Sequence, residues 1–416
     1  MHRAFPRAVR ILAGLAVCTT IVTGPLAAVP GYAATTTAPT FAVAGCATSA
    51  TPPPAVPDPS AVPWAVAASG VDGLRGVANG AGEVVAVIDS GVTPLASFGH
   101  RVLAGHDLLG RTDGRVDCVG HGTAVASIIA AGTTPGAAFR GLAPGAKILP
   151  VRVSEAELVD GAVSGDATTP AGLGAAITWA VDHGADVLNI SVVVGTDDRT
   201  LRSAVARAVA DGVVVVASVG NNHNDSGTDP TPYPAAYPGV IGVGSIDEGG
   251  VRSATSEVGP FLDVVAPGGG VTADRLPSGL GTFDGTSFAV PYVAATAALV
   301  RQEFPRLTNA QVAQRIFDTT DPPPVGASPA DYGQGIVDPY RAVASAVTAA
   351  GSGGGHVTSA APTLGADAGT GTPAAASTTP GRQRWVVGAA SAVAMILLGF
   401  AWTLAGAYRR RLDRIA

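Results

Sequence analysis

Lysine is almost absent from this chain, and charged residues of any kind are scarce. Lys147 is the only lysine among 416 residues, and charged side chains make up 13% of the chain. Residues 41–350 hold 16 basic and 29 acidic side chains, so this central part is acidic. Nucleic-acid binding needs clustered positive charge that neutralises phosphates. We therefore expect no nucleic-acid partner.

Aromatic residues and cysteines are also few. Aromatic residues account for 5% of the chain and there are three cysteines, whereas glycine contributes 55 residues. This composition predicts close backbone packing and many tight turns. With 47% hydrophobic residues, a chain of this length can form one large domain or two small ones, with additional tails.

The first long uncharged tract covers residues 11–29. Three arginines precede it, and a small-x-small pattern follows at residues 31–33. These are the features of a secretory signal peptide, which we assign to residues 1–33. Lipidation of Cys18 is disfavoured, because Val17 directly precedes it and the apolar run continues past it.

The second uncharged tract, residues 385–408, predicts a transmembrane helix. It is long enough to cross a hydrocarbon core of about 30 Å. Four arginines follow it and only two precede it closely, so the positive-inside rule places residues 409–416 in the cytoplasm. The bulk of the protein is then expected outside the cytoplasmic membrane, attached to it by this single span.

Low-complexity segments flank the central part. Residues 34–63 are rich in threonine, alanine and proline and predict an extended arm, while residues 351–384 have the Gly/Ser/Thr/Ala/Pro composition of a linker.

After removal of the signal peptide, only Cys46 in the arm and Cys118 remain. Two remaining cysteines in an oxidising compartment are expected to pair. This predicts a disulfide that joins the arm to the loop before His121.

Strands and helices alternate through the central part. Short apolar runs typical of buried parallel strands are separated by helical patterns. The predicted strands cover residues 84–88, 146–153, 187–194, 213–219, 240–245 and 262–265, and the predicted helices cover 124–131, 173–183, 201–211, 309–317 and 340–347, with a further helix after Ser287. This alternation predicts an α/β fold with a mostly parallel sheet and helices on both faces. Ligands of such sheets bind at the carboxyl ends of the strands.

Four polar residues occupy positions where this fold would place a site. Asp89 and Asn221 end predicted strands, His121 stands between glycines at a helix start, and Ser287 begins an apolar helix for which Thr286 is the expected N-cap. Each alone has a simpler explanation, as a ribose-binding or metal-binding aspartate, a helix-entry histidine or a capping serine. Together they fit one chemistry: an imidazole held by a carboxylate activates a serine hydroxyl, and a side-chain amide stabilises the oxyanion.

The segments around these residues resemble the signature segments of the subtilisin-like serine peptidases. They read Val-Ile-Asp-Ser-Gly-Val at Asp89, Gly-His-Gly-Thr-Ala-Val-Ala at His121, Ala-Ser-Val-Gly-Asn at Asn221, Gly-Thr-Ser-Phe-Ala-Val-Pro at Ser287 and Asp-Val-Val-Ala-Pro-Gly at residues 263–268. The resemblance implies a three-layer fold in a protease domain at residues 64–350. It also implies a catalytic triad of Asp89, His121 and Ser287, an oxyanion hole formed by Asn221 and the Ser287 N–H, and a protein substrate. No cofactor or metal is predicted.

The substrate cleft is expected to differ from that of many members of this family. Where they have a glycine-rich edge strand, this chain has Ser191, Val192, Val193 and Val194. The first three of these residues, together with Gly220, would line the cleft. The β-branched bulk should narrow the primary pocket and favour a small residue, such as alanine, before the scissile bond. The arm at residues 34–63 is too short and too rich in proline for a folded propeptide, so we expect no inhibitory prodomain.

Several other features carry less weight. The segments 155–170 and 223–237 have the character of rim insertions, which could bind partners or be simple loops. The remaining histidines considered lack partners at metal-ligand spacing and are interpreted as surface or loop residues. They are His100, His106, His183 and His223.

The order of segments resembles that of the mycosins, the membrane-anchored proteases of actinobacterial type VII secretion systems. The resemblance implies that this chain processes a substrate of such a system and contacts components of its membrane complex. Two other functions stay open. The chain could be mainly a scaffold of the secretion complex with secondary protease activity, or an esterase or other serine hydrolase, which the order of the motifs disfavours.

Overall fold

The computed structural model describes residues 57–345, apart from residues 75, 111, 135, 156, 160, 161, 165, 225 and 226. These residues lie in the structural unit that spans Met1–Thr348. The predicted signal peptide, Cys46, the linker and the predicted transmembrane helix lie outside the described residues. Within the described part, none of the helices combines the length and the apolar character needed to cross a membrane.

Strands and helices alternate along the described chain, as predicted. The strands are β1 (Val84–Asp89), β2 (His106–Asp107), β3 (Lys147–Arg152), β4 (Glu157–Val159), β5 (Ala162–Ser164), β6 (Val187–Ile190), β7 (Val214–Ser218), β8 (Val240–Ile246), β9 (Val264–Pro267), β10 (Val271–Asp274) and β11 (Leu280–Phe283). The helices are α1 (Trp64–Ala68), α2 (His121–Ala130), α3 (Pro170–Asp182), α4 (Arg199–Ala210), α5 (Thr286–Glu303), α6 (Asn309–Asp318) and α7 (Pro339–Ala344). Short 3₁₀ helices cover Ala96–Phe98 and Pro329–Asp331.

Seven of the described strands form one parallel sheet in the order β2-β3-β1-β6-β7-β8-β9. Val85 of β1 pairs with Ile148 on one side and with Val187 on the other. The strand order reverses at β1, because the chain adds β3 on one side of it and β6 on the other. Crevices at such a switch point, at the carboxyl ends of the strands, are where α/β proteins bind ligands.

Side chains of the sheet alternate between two helical layers. Val85 and Val87 belong to the hydrophobic cluster that contains α2 and α5, whereas Ala86 and Ile88 belong to the cluster that contains α3 and α4. Burial on both faces explains why β1 reads as a continuous apolar run in the sequence. The predicted α/β fold, with a mostly parallel sheet and helices on both faces, is therefore confirmed.

The strand predicted at residues 187–194 is shorter in the structure. β6 ends at Ile190, because the chain then leaves the sheet: the Ser191 hydroxyl donates to the Ser287 carbonyl oxygen over 2.9 Å, and Val194 forms an antiparallel bridge with Tyr233. Two hairpins, β4-β5 and β10-β11, were not predicted. The first lies within the predicted rim insertion.

Candidate active site

Asp89 and His121 meet at the carboxyl end of β1. The Nδ1 atom of His121 lies 2.7 Å from Oδ1 of Asp89, and the same oxygen accepts a hydrogen bond from the Ser90 N–H over 2.6 Å. The Asp89 side chain is 3% exposed and that of His121 is 29% exposed. A carboxylate at Nδ1 assigns the imidazole proton to that nitrogen and leaves Nε2 as a base. The pair thus presents a partly exposed base that is oriented by a buried carboxylate.

Asp117 holds the start of α2, a role that the sequence motifs did not predict. Its Oδ1 accepts from the Ser90 hydroxyl over 2.8 Å and from the Gly120 N–H over 2.7 Å, and its Oδ2 accepts from the Thr123 N–H over 2.8 Å. Burial raises the pKa of Asp117, while the hydrogen bonds from Thr123 and Gly120 oppose that rise. The N-cap residue of α2 is a glycine without a capping side chain, so this carboxylate takes the free N–H groups of the helix start.

Ser287 lies in the first turn of α5. Its hydroxyl donates to the Ser191 carbonyl oxygen over 3.4 Å, a long hydrogen bond. The ring of the next residue, Phe288, packs against the His121 ring with 4.9 Å between the centroids. The first N–H groups of a helix lack intrahelical partners and favour negative charge. Ser287 therefore lies one residue from a side chain that contacts the imidazole, at a helix end suited to an anion.

Thr286 does not cap α5, contrary to our prediction. The N-cap is Gly285, whose φ of 135° favours glycine. Instead, the Thr286 N–H and hydroxyl lie 2.9 Å and 3.0 Å from Oδ1 of Asn221, and the hydroxyl lies 2.6 Å from that of Ser218. Thr286 therefore joins the end of β7 to the start of α5.

Asn221 follows β7, as predicted, and its amide orientation is well defined. Because Oδ1 faces the Thr286 N–H, which can only donate, the two amide atoms are assigned without ambiguity. The other amide atom, Nδ2, has no acceptor within the described part of the chain, and a Cβ atom on Gly285 would lie 3.5 Å from it. The structure thus leaves one amide donor free beside the first turn of α5.

The residues predicted to line the cleft follow two neighbouring strands. Ser191 is buried, and Val192 and Val193 are half-buried directly after β6. Gly220 follows β7 with a φ of 101°, and a Cβ atom there would lie 2.4 Å from Oε1 of Glu257. A side chain at this position would have to displace the buried Glu257 carboxyl group and adopt a left-handed backbone.

A left-handed backbone costs a non-glycine residue about 1 to 2 kcal/mol. We expect Gly220→Ala to lower the free energy of unfolding by more than this amount. The added methyl group would also displace the Glu257 carboxyl group, which accepts from the Asn222 N–H next to Asn221, so kcat for peptide hydrolysis should fall. Gly184→Ala is the matched control, because Gly184 has a φ of 80° but no atom within 4 Å of the new Cβ. Denaturant unfolding and steady-state kinetics of both variants test this. Equal losses of stability would contradict the steric argument.

His223 lies in the loop after β7, in agreement with the prediction of a surface or loop histidine. Its side chain is nevertheless only 11% exposed, and its Nδ1 lies 2.7 Å from Oδ2 of Asp229, which is 1% exposed. His106 and His183 both stack on Trp179, with centroid distances of 5.0 Å and 3.8 Å. The pair Trp179 and His183 has the i, i+4 spacing of a helix, whereas the partners of His106 and His223 follow no simple motif spacing and could not be predicted.

Cys118 lies directly after the anchoring Asp117 and is disulfide-bonded. Its partner lies outside the described residues, so the pairing with Cys46 stays a prediction. The Cys118 Sγ also accepts a hydrogen bond from Nη2 of Arg152 over 3.3 Å, and Arg152 forms a buried ion pair with Asp107 at 3.0 Å. These contacts hold the loop that leads into α2.

The fold and the site together define a class of protein. A parallel α/β sheet carries an aspartate at the end of β1, and a histidine and a serine follow along the chain in the first turns of two helices. The order aspartate, histidine, serine is that of subtilisin. These are the features of subtilisin-like serine peptidases. The chain belongs to the subtilase family, whose model matches residues 80–338.

The similar proteins include mycosins. Mycosin-4 of Mycobacterium tuberculosis is 37% identical over 314 residues, which cover 66% of this chain and 68% of that protein. The crystal structure of MycP1 from Mycobacterium smegmatis has 29% identity and a TM-score of 0.63, and the match covers 74% of this chain and 92% of that one. A chain in an intact ESX-5 inner membrane complex has 27% identity and a TM-score of 0.61, covering 86% of this chain and 92% of that one. The protein is a serine endopeptidase of the mycosin type.

Proposed function

We propose that Asp89, His121 and Ser287 form the catalytic triad of this endopeptidase, with the Asn221 amide and the Ser287 N–H as its oxyanion hole. The observation that carries the proposal is the 2.7 Å contact between His121 Nδ1 and Asp89 Oδ1. It orients the imidazole so that Nε2 can accept a proton. The free amide donor of Asn221 beside the start of α5 supports the second part of the proposal.

The reaction follows from these positions. Nε2 of His121 takes the Ser287 hydroxyl proton while Oγ attacks the peptide carbonyl carbon, and negative charge develops on the carbonyl oxygen. Asn221 Nδ2 and the Ser287 N–H donate to that oxygen. The imidazolium then protonates the leaving amine, the C–N bond breaks, and water releases the acyl group by the reverse proton transfers. Because the resting contact of Oγ with Ser191 is long, little is lost when the hydroxyl turns toward His121.

A fluorophosphonate probe tests this proposal directly, because it phosphonylates an activated serine. We expect the native protein to be labelled at a single residue, identified as Ser287 by mass spectrometry of the labelled peptide. Protein unfolded in denaturant should not be labelled, since the activation depends on the folded site. Failure to label the native protein, or a label on another serine, would overturn the assignment.

The valines after β6 predict a preference for small residues before the scissile bond. Val192 and Val193 replace small residues with β-branched bulk at the expected wall of the primary pocket. We expect kcat/KM to be at least about tenfold higher for peptides with alanine than with phenylalanine at this position, a typical range for pocket-size discrimination. Val192→Gly combined with Val193→Gly should raise cleavage after phenylalanine, whereas Val325→Gly, at a fully exposed position, should not. Equal cleavage of both peptides by the wild type would contradict this.

We further propose that the enzyme works at the outer side of the cytoplasmic membrane as part of a type VII secretion system. Its similarity to a chain of an ESX-5 inner membrane complex supports this. The predicted signal peptide at residues 1–33 and the apolar tract at 385–408 support export and a single-pass anchor with a cytoplasmic C-terminus. In this setting it would process a protein substrate of the system and stabilise the membrane complex.

The alternative is a scaffold whose protease activity is secondary. A Ser287→Ala variant expressed in place of the wild type separates the two roles, because the substitution removes one oxygen atom and leaves the surface intact. Secretion that continues while substrate processing stops would establish a scaffold role alongside catalysis. Loss of both would show that secretion itself depends on the peptidase activity.

A further inference from the structure

Glu257 is a buried acidic residue beside the candidate oxyanion hole, and none of the steps above uses it. It lies between β8 and β9, outside the signature segments, and is 1% exposed. Its Oε2 atom is buried and has no hydrogen-bond partner within the described residues. Burial raises the pKa of Glu257, and hydrogen bonds from Asn222 oppose the rise. A buried acid with one unsatisfied oxygen is unfavourable for stability and calls for an explanation.

Glu257 forms hydrogen bonds with the residue before Asn221 and with the residue after it. The Glu257 N–H donates to the Gly220 carbonyl oxygen over 3.1 Å. Its Oε1 accepts from the Asn222 N–H over 3.0 Å and from the Asn222 side-chain Nδ2 over 3.2 Å. Glu257 therefore binds both neighbours of Asn221: its backbone N–H binds Gly220, and its side chain binds Asn222.

A second set of contacts holds the same two segments together. The His223 N–H donates to the Thr255 carbonyl oxygen over 3.1 Å. Oδ2 of Asp229 accepts from the Val258 N–H over 2.7 Å and lies 2.7 Å from Nδ1 of His223. The loop that follows Asn221 is thus fastened to the segment around Glu257 at several points, and the segment forms a fixed support.

An oxyanion donor must be held accurately, because its stabilisation of the transition state depends on the donor's distance and direction. The Thr286 contacts fix only the Oδ1 side of the Asn221 amide. The backbone of Asn221 needs its own restraint, and Gly220, with its left-handed φ of 101°, supplies none by itself. The Glu257 contacts restrain this backbone.

We propose that Glu257 is a positioning residue that holds the Gly220–Asn222 turn so that Asn221 Nδ2 faces the oxyanion. The side chain acts through hydrogen bonds to the turn and does not touch the reacting atoms. This inference rests on the proposed oxyanion role of Asn221.

Two substitutions separate the hydrogen bonds from the packing. Glu257→Gln keeps an acceptor oxygen and the shape of the side chain, so kcat should stay within about threefold of the wild type. Glu257→Leu fills similar space without an acceptor, and kcat should fall about 10- to 100-fold with KM within about twofold, since small misplacements at a reacting centre have effects of this size. Glu257→Ala removes the same acceptor and serves if the leucine variant does not fold. A glutamine variant that loses as much activity as the leucine variant would overturn the proposal.

Binding of a peptide boronic acid gives a readout that general loss of structure would not reproduce. The boronate adduct resembles the tetrahedral intermediate, so its affinity should fall by the same factor as kcat in Glu257→Leu. The affinity of the amine product peptide, which comes from the leaving-group side and places no oxygen in the oxyanion hole, should change by less than about twofold. Equal losses for both ligands would indicate a merely structural role and overturn the proposal.

A double-mutant cycle with Asn221→Ala completes the test. If Glu257 acts through Asn221, then Glu257→Leu should change kcat by no more than about twofold once Asn221 is alanine. If Asn221→Ala lowers kcat and Glu257→Leu still has its full effect in that background, the positioning role is wrong. If Asn221→Ala alone leaves kcat unchanged, the oxyanion role of Asn221 fails, and the positioning inference falls with it.

Discussion

Replacing Ser287 with alanine is expected to lower kcat for peptide hydrolysis by about 10⁶-fold, as loss of the nucleophile does in the related subtilisin. The only atom removed is Oγ, whose resting hydrogen bond to Ser191 is long. The Ser191 hydroxyl still binds the carbonyl oxygen of residue 287 in the variant, and alanine is well tolerated in a first helical turn. Folding and peptide binding should therefore be preserved, and the residual rate should reflect the oxyanion hole and binding alone.

The measurement compares hydrolysis of an alanine-containing peptide by wild type, Ser287→Ala and a matched control. Ser203→Ala is suitable, because Ser203 is exposed on α4 and takes no part in the site. Its kcat should equal that of the wild type, and the unfolding midpoints of all three proteins should agree closely. A Ser287→Ala protein that retains activity within tenfold of the wild type would mean that the nucleophile lies elsewhere.

The layered fold could be predicted because β1 and β7 are buried on both faces. Both strands are apolar up to their last residues, Asp89 and Ser218, and this pattern is local in sequence. Element ends were less predictable, because they depend on contacts from outside the element. α2 starts at His121, three residues before the predicted start. Asp117 accepts from the Gly120 and Thr123 N–H groups at this end, and the Ser90 hydroxyl accepts from the Gly122 N–H.

The candidate site residues could be identified from short sequence segments, but the contacts that hold them in place could not. The contact between Thr286 and Asn221 joins positions 65 residues apart, and the contact between Asn222 and Glu257 joins positions 35 residues apart. No periodicity or motif encodes such pairs. The hairpin β10-β11 also escaped prediction, since its strands are short and mix small and polar residues.

Asp89→Asn is expected to reduce kcat by about 10⁴-fold, the effect of this change in a serine protease triad. The amide could keep its oxygen toward Nδ1 of His121 and the Ser90 N–H, which lies 2.6 Å away. The NH₂ group would then occupy the buried Oδ2 position, which has no partner among the described residues, at a cost of about 1 to 3 kcal/mol in stability. The negative charge that stabilises the imidazolium would also be lost.

The opposite amide orientation is equally unfavourable for catalysis. The NH₂ group would face two donors, the Ser90 N–H and Nδ1–H of His121, so the imidazole proton would move to Nε2 and the base would be lost. Asp198→Asn is the control, because Asp198 caps α4 by accepting from backbone N–H groups and asparagine caps as well as aspartate. Kinetics and thermal unfolding of both variants test the orienting role of Asp89. We expect Asp89→Asn to lose activity on this scale, and Asp198→Asn to keep the rate and the stability of the wild type. Any other result would contradict that role.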